Sequence, residues 1–557
     1  MRTIRFEDNQ FHSTYSDGSF SPKEIFEYNQ FHHRLDLTIT DHVDKNTDWF
    51  GRYVEDIQEL RKNYPDFSIK IGCEVKIVDE RGELNTTDEI LKQAEVVTGT
   101  VHHFPGIKSL GLEALIEQEF ILTKLLAENK KIDVLGHPFS MVKRFYKADV
   151  PEAYVREVYE RCVKNGIKLE YNQKNCPASV RKLVVSEIAK GNIKNFSFGS
   201  DMHHDLSELG NSAFDVADPV TVLVTGAGAG VGQSIIKALK LSAIKTRIIA
   251  TDAQEKAAGL YRAHAAYLVP RCDDSGYTAR LVAICNRENV DLLFPGTDVE
   301  LPVLARERTA IESETRARVI VSDEPTIQLA DDKWETVQFL KKNQFPYPKT
   351  WLAGDVNQAL ETIALPVVVK PRHGARSIGF HVVQTTAELQ EQLAAMPDAV
   401  VQEYLADDDS EHTCGAFFWD KKCYGVVTAQ RWLRSGDTYK ARFYHDQKLA
   451  SFIEQVGAKL GLHGPCNFQL RQTASGPVIF EINCRFSGTT GAASYLGFNV
   501  PSALIERLVF NRPLKPLGFR ESFMLRYWNE VLVEPDAMER LRADESLTEV
   551  NGQVNTF

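Results

Sequence analysis

Three patterns predict a multidomain α/β protein. Short apolar runs end in histidine or a carboxylate before residue 215, a strand–glycine turn–helix follows near residue 225, and a lysine-bearing strand precedes a long hairpin that ends near residue 491. At 557 residues the chain is too long for one core and should hold three or four domains. A net charge of −11, with 25% charged and 43% apolar residues, argues for a soluble globular protein and against a nucleic-acid surface. Nine cysteines without a C-x-x-C pair suit a reducing compartment. The opening MRTIRFEDNQ has no apolar core and no run approaches 18 apolar residues, so the expectation is a cytoplasmic protein with no membrane partner. Self-association is left open.

Residues 1–213 form the first expected domain. Nine of the fifteen histidines precede residue 215. Most follow a buried-strand pattern: LDLTIT before Asp41 and His42, FSIKIGC before Glu74, EVVTGTV before His102, KIDVLG before His137, and IKNFSFGS before Asp201. The segments PKEIFEYNQFHH and YVREVYERCVKNG have helical periodicity. Repeated strand–helix units with polar residues at strand C-termini are how barrel-type α/β enzymes assemble a site. Imidazoles and carboxylates converging there would bind divalent metals, and two or three close metals suit hydrolysis of phosphate esters.

The ordered set FHSTYSDG, TDH, GCE, TVHH, GHP and GSDMH resembles the PHP family (polymerase and histidinol phosphatase). The resemblance implies a distorted (β/α)7 barrel with a centre of two or three divalent metals such as Zn2+, Mn2+ or Fe2+, acting on a phosphoester. Its ligands would be His12, Asp17, His42, Glu74, His102, His137, Asp201 and His203, with Glu74 bridging two metals and His42 and Asp201 serving the reaction. The family's first motif is His-x-His, and here Gln10 stands in its first place, so one metal position is weakened, replaced or empty. A catalytically degenerate scaffold or binding module is therefore the alternative. PHP domains also occur in polymerases, a reading that the acidic balance disfavours.

LGNSAFDVADP marks a boundary, and residues 219–325 form the second expected domain. VTVLVTGAGAGVGQSIIKALK reads as a strand, a glycine run (Gly226, Gly228, Gly230 and Gly232) and a helix, with Asp252 ending the next strand. Three readings are open: a dinucleotide site, with Asp252 on a ribose; a structural turn; and the small Rossmann-like domain that precedes the core of ATP-grasp enzymes. The Tyr-x-x-x-Lys pair of a short-chain dehydrogenase is missing, and VDLLFPGTDVEL resembles a motif of the third, which is favoured.

Residues 326–520 form the third expected domain, followed by a strand and helix extension at 521–557. DDKWETVQFLKKNQFPYPKTWL gives a helix with Lys333 near its start, a proline-rich turn and a strand. LPVVVKP is a buried strand carrying Lys370, and RHGARSIGF is a loop whose Gly374, Ser377 and Gly379 let backbone amides close over phosphates. AVVQEYL supplies a strand and hinge, with Glu403 and Glu411 as acceptors for adenine and ribose. Strands FQLRQ and VIFEIN place Gln469, Glu481 and Asn483 on one face, a set of oxygens suited to Mg2+, with the forked donor Arg485 beyond.

Together these pieces resemble the ATP-grasp superfamily, in the single-module branch related to the carbamoyl-phosphate synthetase large chain. The resemblance implies that Lys333 and Lys370 hold the phosphates of ATP and that Gln402, Glu403, Tyr404 and Leu405 line the adenine. Mg2+ would be held by Glu481 and Asn483, with Gln469 a weaker partner because many members have Asp or Glu there, and Arg485 would sit on the transferred phosphate. It also implies a carboxylate–amine ligase working through an acyl phosphate. Arg434, Lys440 or Arg442, in the basic segment RWLRSGDTYKARF, are candidates for the carboxylate. Carbamoyl-phosphate synthesis itself is not expected, because that large chain has two tandem modules.

Overall fold

In the first 218 residues, the apolar runs become seven short parallel strands in sequence order: β1 (Glu7–Asp8), β2 (Asp36–Ile39), β3 (Ile69–Lys76), β4 (Val96–Thr100), β5 (Val134–Leu135), β6 (Lys168–Tyr171) and β7 (Phe196–Phe198). The computed structural model describes residues 6–32, 34–65, 67–104, 106–374, 378–405, 410–527, 529–550 and 553–554. It falls into two compact units, residues 1–218 with 243–245, and residues 219–242 with 246–557.

Helices between the strands of the first unit include Pro22–His32, Phe50–Asn63, Leu112–Ala127 and Glu152–Asn165. Each buries one face, as Tyr53, Ile57 and Leu60 do in the second. Backbone bonds Asn9 N–H to Phe198 O (2.8 Å), Asp201 N–H to Gln10 O (2.9 Å) and His12 N–H to Met202 O (2.9 Å) bring the first strand to the seventh. The parallel sheet therefore curls until it is nearly closed. Its interior is tight: a Cβ on Gly72 would lie 2.6 Å from the Thr40 methyl. Residues just beyond or near the strand C-termini, His12, His42, Glu74, His102, His137 and Asp201, gather at one end.

The second unit begins with a parallel sheet in the order β12 (Arg318–Val319), β11 (Leu292–Phe294), β8 (Val220–Val224), β9 (Thr246–Asp252), β10 (Ala265–Leu268). The strand order reverses between β8 and β11, the position at which open sheets of this kind place their loops for ligands. The turn after β8 and the loop after β11 meet there at van der Waals distance. A Cβ on Gly296 would stand 2.0 Å from Thr225 O, and one on Gly232 2.4 Å from Gly226 O, so only glycine fits.

Two antiparallel sheets follow. The smaller has the order β13 (Thr350–Leu352), β16 (Ala399–Glu403), β14 (Val367–Pro371), β15 (His381–Val383). The larger has the order β21 (Gly476–Asn483), β20 (Gly464–Thr473), β17 (Glu411–Trp419), β18 (Lys422–Arg434), β19 (Asp437–Phe443), β22 (Ser522–Leu525). In the C-terminal segment, Ser522–Leu525 extends the larger sheet, helix Pro535–Asp544 follows, and Ser546–Leu547 adds an antiparallel edge to β10. Among the described residues no helix is long and apolar enough to cross a membrane.

Candidate active sites in the two units

In the second unit, β14, β16, β18, β20 and β21 enclose a cavity of about 400 Å3. Its wall includes Lys333, Lys370, Gly374, Gln402, Glu403, Tyr404, Leu405, Glu411, Gln469 and Glu481, all singled out from the sequence. Lys370 is buried in β14, one of the two inner strands of a four-stranded sheet, and burial pulls its pKa down to about 8, with the charge of Glu481 opposing and that of Lys333 adding to the shift. Lys333 Nζ donates to Gly374 O at 2.7 Å, tying the start of helix Lys333–Lys342 to the glycine loop. Asp332 caps that helix through the Trp334 and Glu335 amides and takes Arg372 on the same carboxylate. Ser377 lies outside the described residues, and Gly379 is not on the cavity wall.

The hairpin of β20 and β21 pairs Gln469 with Glu481 and Asn467 with Asn483. Asn483 Nδ2 donates to Glu481 Oε1 at 3.0 Å. Its carbonyl oxygen and the Glu481 carboxylate remain as hard donors, a set that fits one Mg2+ completed by phosphate and water.

Five expectations are refined here. Glu411 is not an open acceptor for ribose: Arg431 donates to it through Nε (2.9 Å) and Nη2 (2.7 Å), and Arg471 through Nη2 (2.8 Å). Gln469 Oε1 accepts from Arg431 Nη2 at 2.8 Å, so that oxygen is already committed to a cation. Gln402 spends its side-chain amide on Thr350 Oγ1 (2.8 Å) and is paired in the sheet with Thr350 and Val368. Arg485 lies off the cavity wall, its fork filled by Asp298 of the loop after β11 (Nε to Oδ1 2.8 Å, Nη2 to Oδ2 3.0 Å). The suspected Arg434, Lys440 and Arg442 do not line the cavity and lie over the rings of Tyr439 and Tyr444, whereas Arg431 of the same segment does line it.

In the small domain, the Asp252 carboxylate accepts from the Gly228 amide of the glycine turn (2.8 Å) and from the Gln254 amide (3.0 Å).

In the first unit all eight expected ligands converge. Donor atoms of His12, Asp17, His42 and His203 lie within 4.8 Å of one another, as do those of His42, Glu74 and His102, and those of His12, Glu74 and Asp201. His137 Nε2 stands 3.8 Å from Glu74 Oε1. Glu74 is the hub, fully buried, with His12 Nε2 at 3.3 Å, His42 Nδ1 at 3.5 Å and His102 Nε2 in contact. Burial pushes the Glu74 carboxyl up, but the charges of His102 and His42 and the hydrogen bonds of His102 and His12 hold it well below the usual range. Burial likewise lowers His12, and its hydrogen bonds to Asp201 and Glu74 outweigh that and raise it to about 10.

The donor set fits divalent cations. His12 Nδ1, His42 Nδ1 and His137 Nε2 are buried without a hydrogen-bond partner among the described residues, and a cation would satisfy such nitrogens. Gln10, in the place of the missing histidine, donates Nε2 to Glu74 Oε2 at 2.7 Å. Sequence reasoning missed Thr100 and Asn175, which donate to Glu74 and Asp201: Thr100 opens TVHH but reads as the end of a strand, and Asn175 lies outside the motifs. His103 and His204 are exposed, and His33 lies outside the described residues.

Comparison with known proteins bears on the second unit. Residues 222–320 match the PylC-like N-terminal domain, 330–438 the RimK-like ATP-grasp domain, and 395–531 the ATP-grasp domain of a biosynthetic pathway with the Ter operon. The chain is 27% identical over 160 residues to carbamoyl-phosphate synthase of Methanobrevibacter smithii, and 26% identical over 141 residues to DNA polymerase/3'-5' exonuclease PolX of Bacillus subtilis. These matches cover 28% and 24% of this chain but only 42% and 23% of the two relatives. Among solved structures, N5-carboxyaminoimidazole synthetase of Staphylococcus aureus, complexed with ADP, superposes with a TM-score of 0.45 at 16% identity over 58% of this chain and 85% of that one. The biotin carboxylase domain of Hydrogenobacter thermophilus 2-oxoglutarate carboxylase gives 0.44 at 16%, over 54% and 73%. Residues 330–531 are thus similar to ATP-grasp domains, and residues 222–320, which precede them, to the PylC-like N-terminal domain.

Proposed function

We propose that the second unit is an ATP-dependent ligase that joins a carboxylate to an amine through an acyl phosphate, and that the first unit is a metal-dependent phosphoesterase. The observation that carries the ligase reading is the cavity in which Lys333 and Lys370 share walls with Glu481 and the hinge Gln402–Leu405. In this reading, a carboxylate oxygen of the substrate attacks the γ-phosphorus and ADP leaves. The amine nitrogen then attacks the acyl carbon, phosphate leaves, and the nitrogen gives up a proton. Lys333 and Lys370 neutralise the phosphate oxygens, and the glycine loop bound by Lys333 closes over them to exclude water. Glu481 and Asn483 would hold Mg2+, which supplies further charge neutralisation on the phosphoryl oxygens.

In the first unit the eight-residue cluster would hold its metals with Glu74 shared between groups. Bound metals would polarise a phosphoester and lower the pKa of a water. The other six residues keep donor atoms close to Glu74 or Asp17, so the ions would sit near one another. The alternative, a scaffold without catalysis, draws on the Gln10–Glu74 hydrogen bond, which occupies one carboxylate oxygen.

ATP turnover over a panel of amino acids and carboxylates tests the first half: ADP and phosphate are expected, and AMP with pyrophosphate would exclude the mechanism. Hydrolysis of p-nitrophenyl phosphate by metal-loaded protein, lost in His42→Ala, is expected for the second half, and no hydrolysis with metal bound would favour the scaffold.

A further inference from the structure

A nucleoside triphosphate brings about four negative charges, which a site must meet with divalent ions or with fixed guanidinium and ammonium groups. The cavity places Gln469 directly across the β20–β21 ladder from Glu481, the position from which a second protein oxygen would reach a second ion. That oxygen already accepts a hydrogen bond from Arg431 Nη2 at 2.8 Å. The guanidinium is fixed there by Glu411, which takes both Nε and Nη2, and the Arg431 side chain is only 8% exposed; Glu411 also takes Arg471 Nη2 at 2.8 Å, so two guanidiniums face one carboxylate and a net positive charge remains at the wall. A divalent ion at Gln469 would need to sit about 2.1 Å from the same oxygen, beside a permanent positive charge. Arg431 Nη1 makes no hydrogen bond among the described residues, so the group retains donors while lining the cavity.

Resting on the nucleotide-binding reading above, we propose that Arg431 is the second cation of this site: held by Glu411 and Gln469, it takes the position of a second divalent ion and contacts the nucleotide, so that one Mg2+ accompanies each triphosphate. Glu481 and Asn483 then serve a single ion. Neutral Gln469 acts as the acceptor that orients the guanidinium.

The test counts bound Mn2+ by electron paramagnetic resonance on the full-length protein, with and without a saturating non-hydrolysable ATP analogue. The difference isolates ions that come with the nucleotide from those on the histidine cluster. One additional Mn2+ per chain is expected. Two, or none with the analogue bound, would overturn this inference and leave nucleotide binding standing. Failure of the analogue to bind would overturn both. Arg431→Met is expected to weaken analogue affinity by roughly tenfold or more. Unchanged affinity in a variant that retains the wild-type circular dichroism spectrum would also overturn the inference.

Discussion

Replacing Lys370 by methionine should raise stability and abolish function in one step. Lys370 is 6% exposed, and among the described residues its Nζ donates only to Phe480 O, at 3.4 Å. Burial lowers its pKa from 10.5 to about 8, with Glu481 opposing and Lys333 reinforcing the change. For a base depressed in the folded state, the unfolded chain binds more protons between the two values. The stability penalty is therefore complete below about pH 8 and fades as the pH rises toward the unfolded value near 10.4. At about 1.4 kcal/mol per pKa unit, holding the ammonium charged at pH 7 costs on the order of 3 kcal/mol. Methionine fills a similar volume without charge, so Lys370→Met should unfold several degrees higher at pH 7, with the advantage shrinking toward pH 10. Nucleotide binding should show the opposite. Wild-type affinity for MgADP should be flat below pH 7 and fall above pH 8, by at most about tenfold per pH unit, as the ammonium deprotonates. The variant should bind on the order of 100-fold more weakly, with no decline over that range. Scanning fluorimetry and titration calorimetry between pH 6.5 and 9.5 measure both. A variant no more stable than wild type at pH 7, or a wild-type affinity flat to pH 9.5, would refute the reasoning.

Three further outcomes follow from single contacts. Glu74→Gln removes the carboxylate that joins His12, His42, His102 and His137, so divalent-ion affinity measured by metal analysis after dialysis should drop on the order of 100-fold. Gly296→Ala drives a methyl to 2.0 Å from Thr225 O and should lower stability by about 1–3 kcal/mol in a urea titration, whereas no loss would show that the turn can open. Asp298→Ala leaves the Arg485 guanidinium buried beside Phe486 O alone and should cost about 3–5 kcal/mol, while Asp298→Asn, which keeps one acceptor, should cost less.

Residues whose role is set by position within one local element were legible in the sequence. Lys370 follows a run of valines, Glu481 and Asn483 share a strand parity, and the histidines end successive apolar runs, so period and order alone brought them to common sites. The state of each side chain was not legible, because that depends on partners distant in sequence. Arg431 reaches Gln469 across 38 residues and Arg485 reaches Asp298 across 187, and nothing in either local pattern announces the other end. The same distance hid the pairing of Ser546–Leu547 with β10. Those pairings decide chemistry. A glutamine in a metal-facing place reads from sequence as a weak ligand, but with a guanidinium bonded to its oxygen it becomes the acceptor of a fixed cation. An arginine near a phosphate reads as a free fork, but with an aspartate in that fork it is neutralised and held. The charge available to a triphosphate in this cavity therefore depends less on which residues line it than on which of them are already paired, and among the described cations of its wall Lys370, bonded to a backbone oxygen at 3.4 Å, holds the longest hydrogen bond.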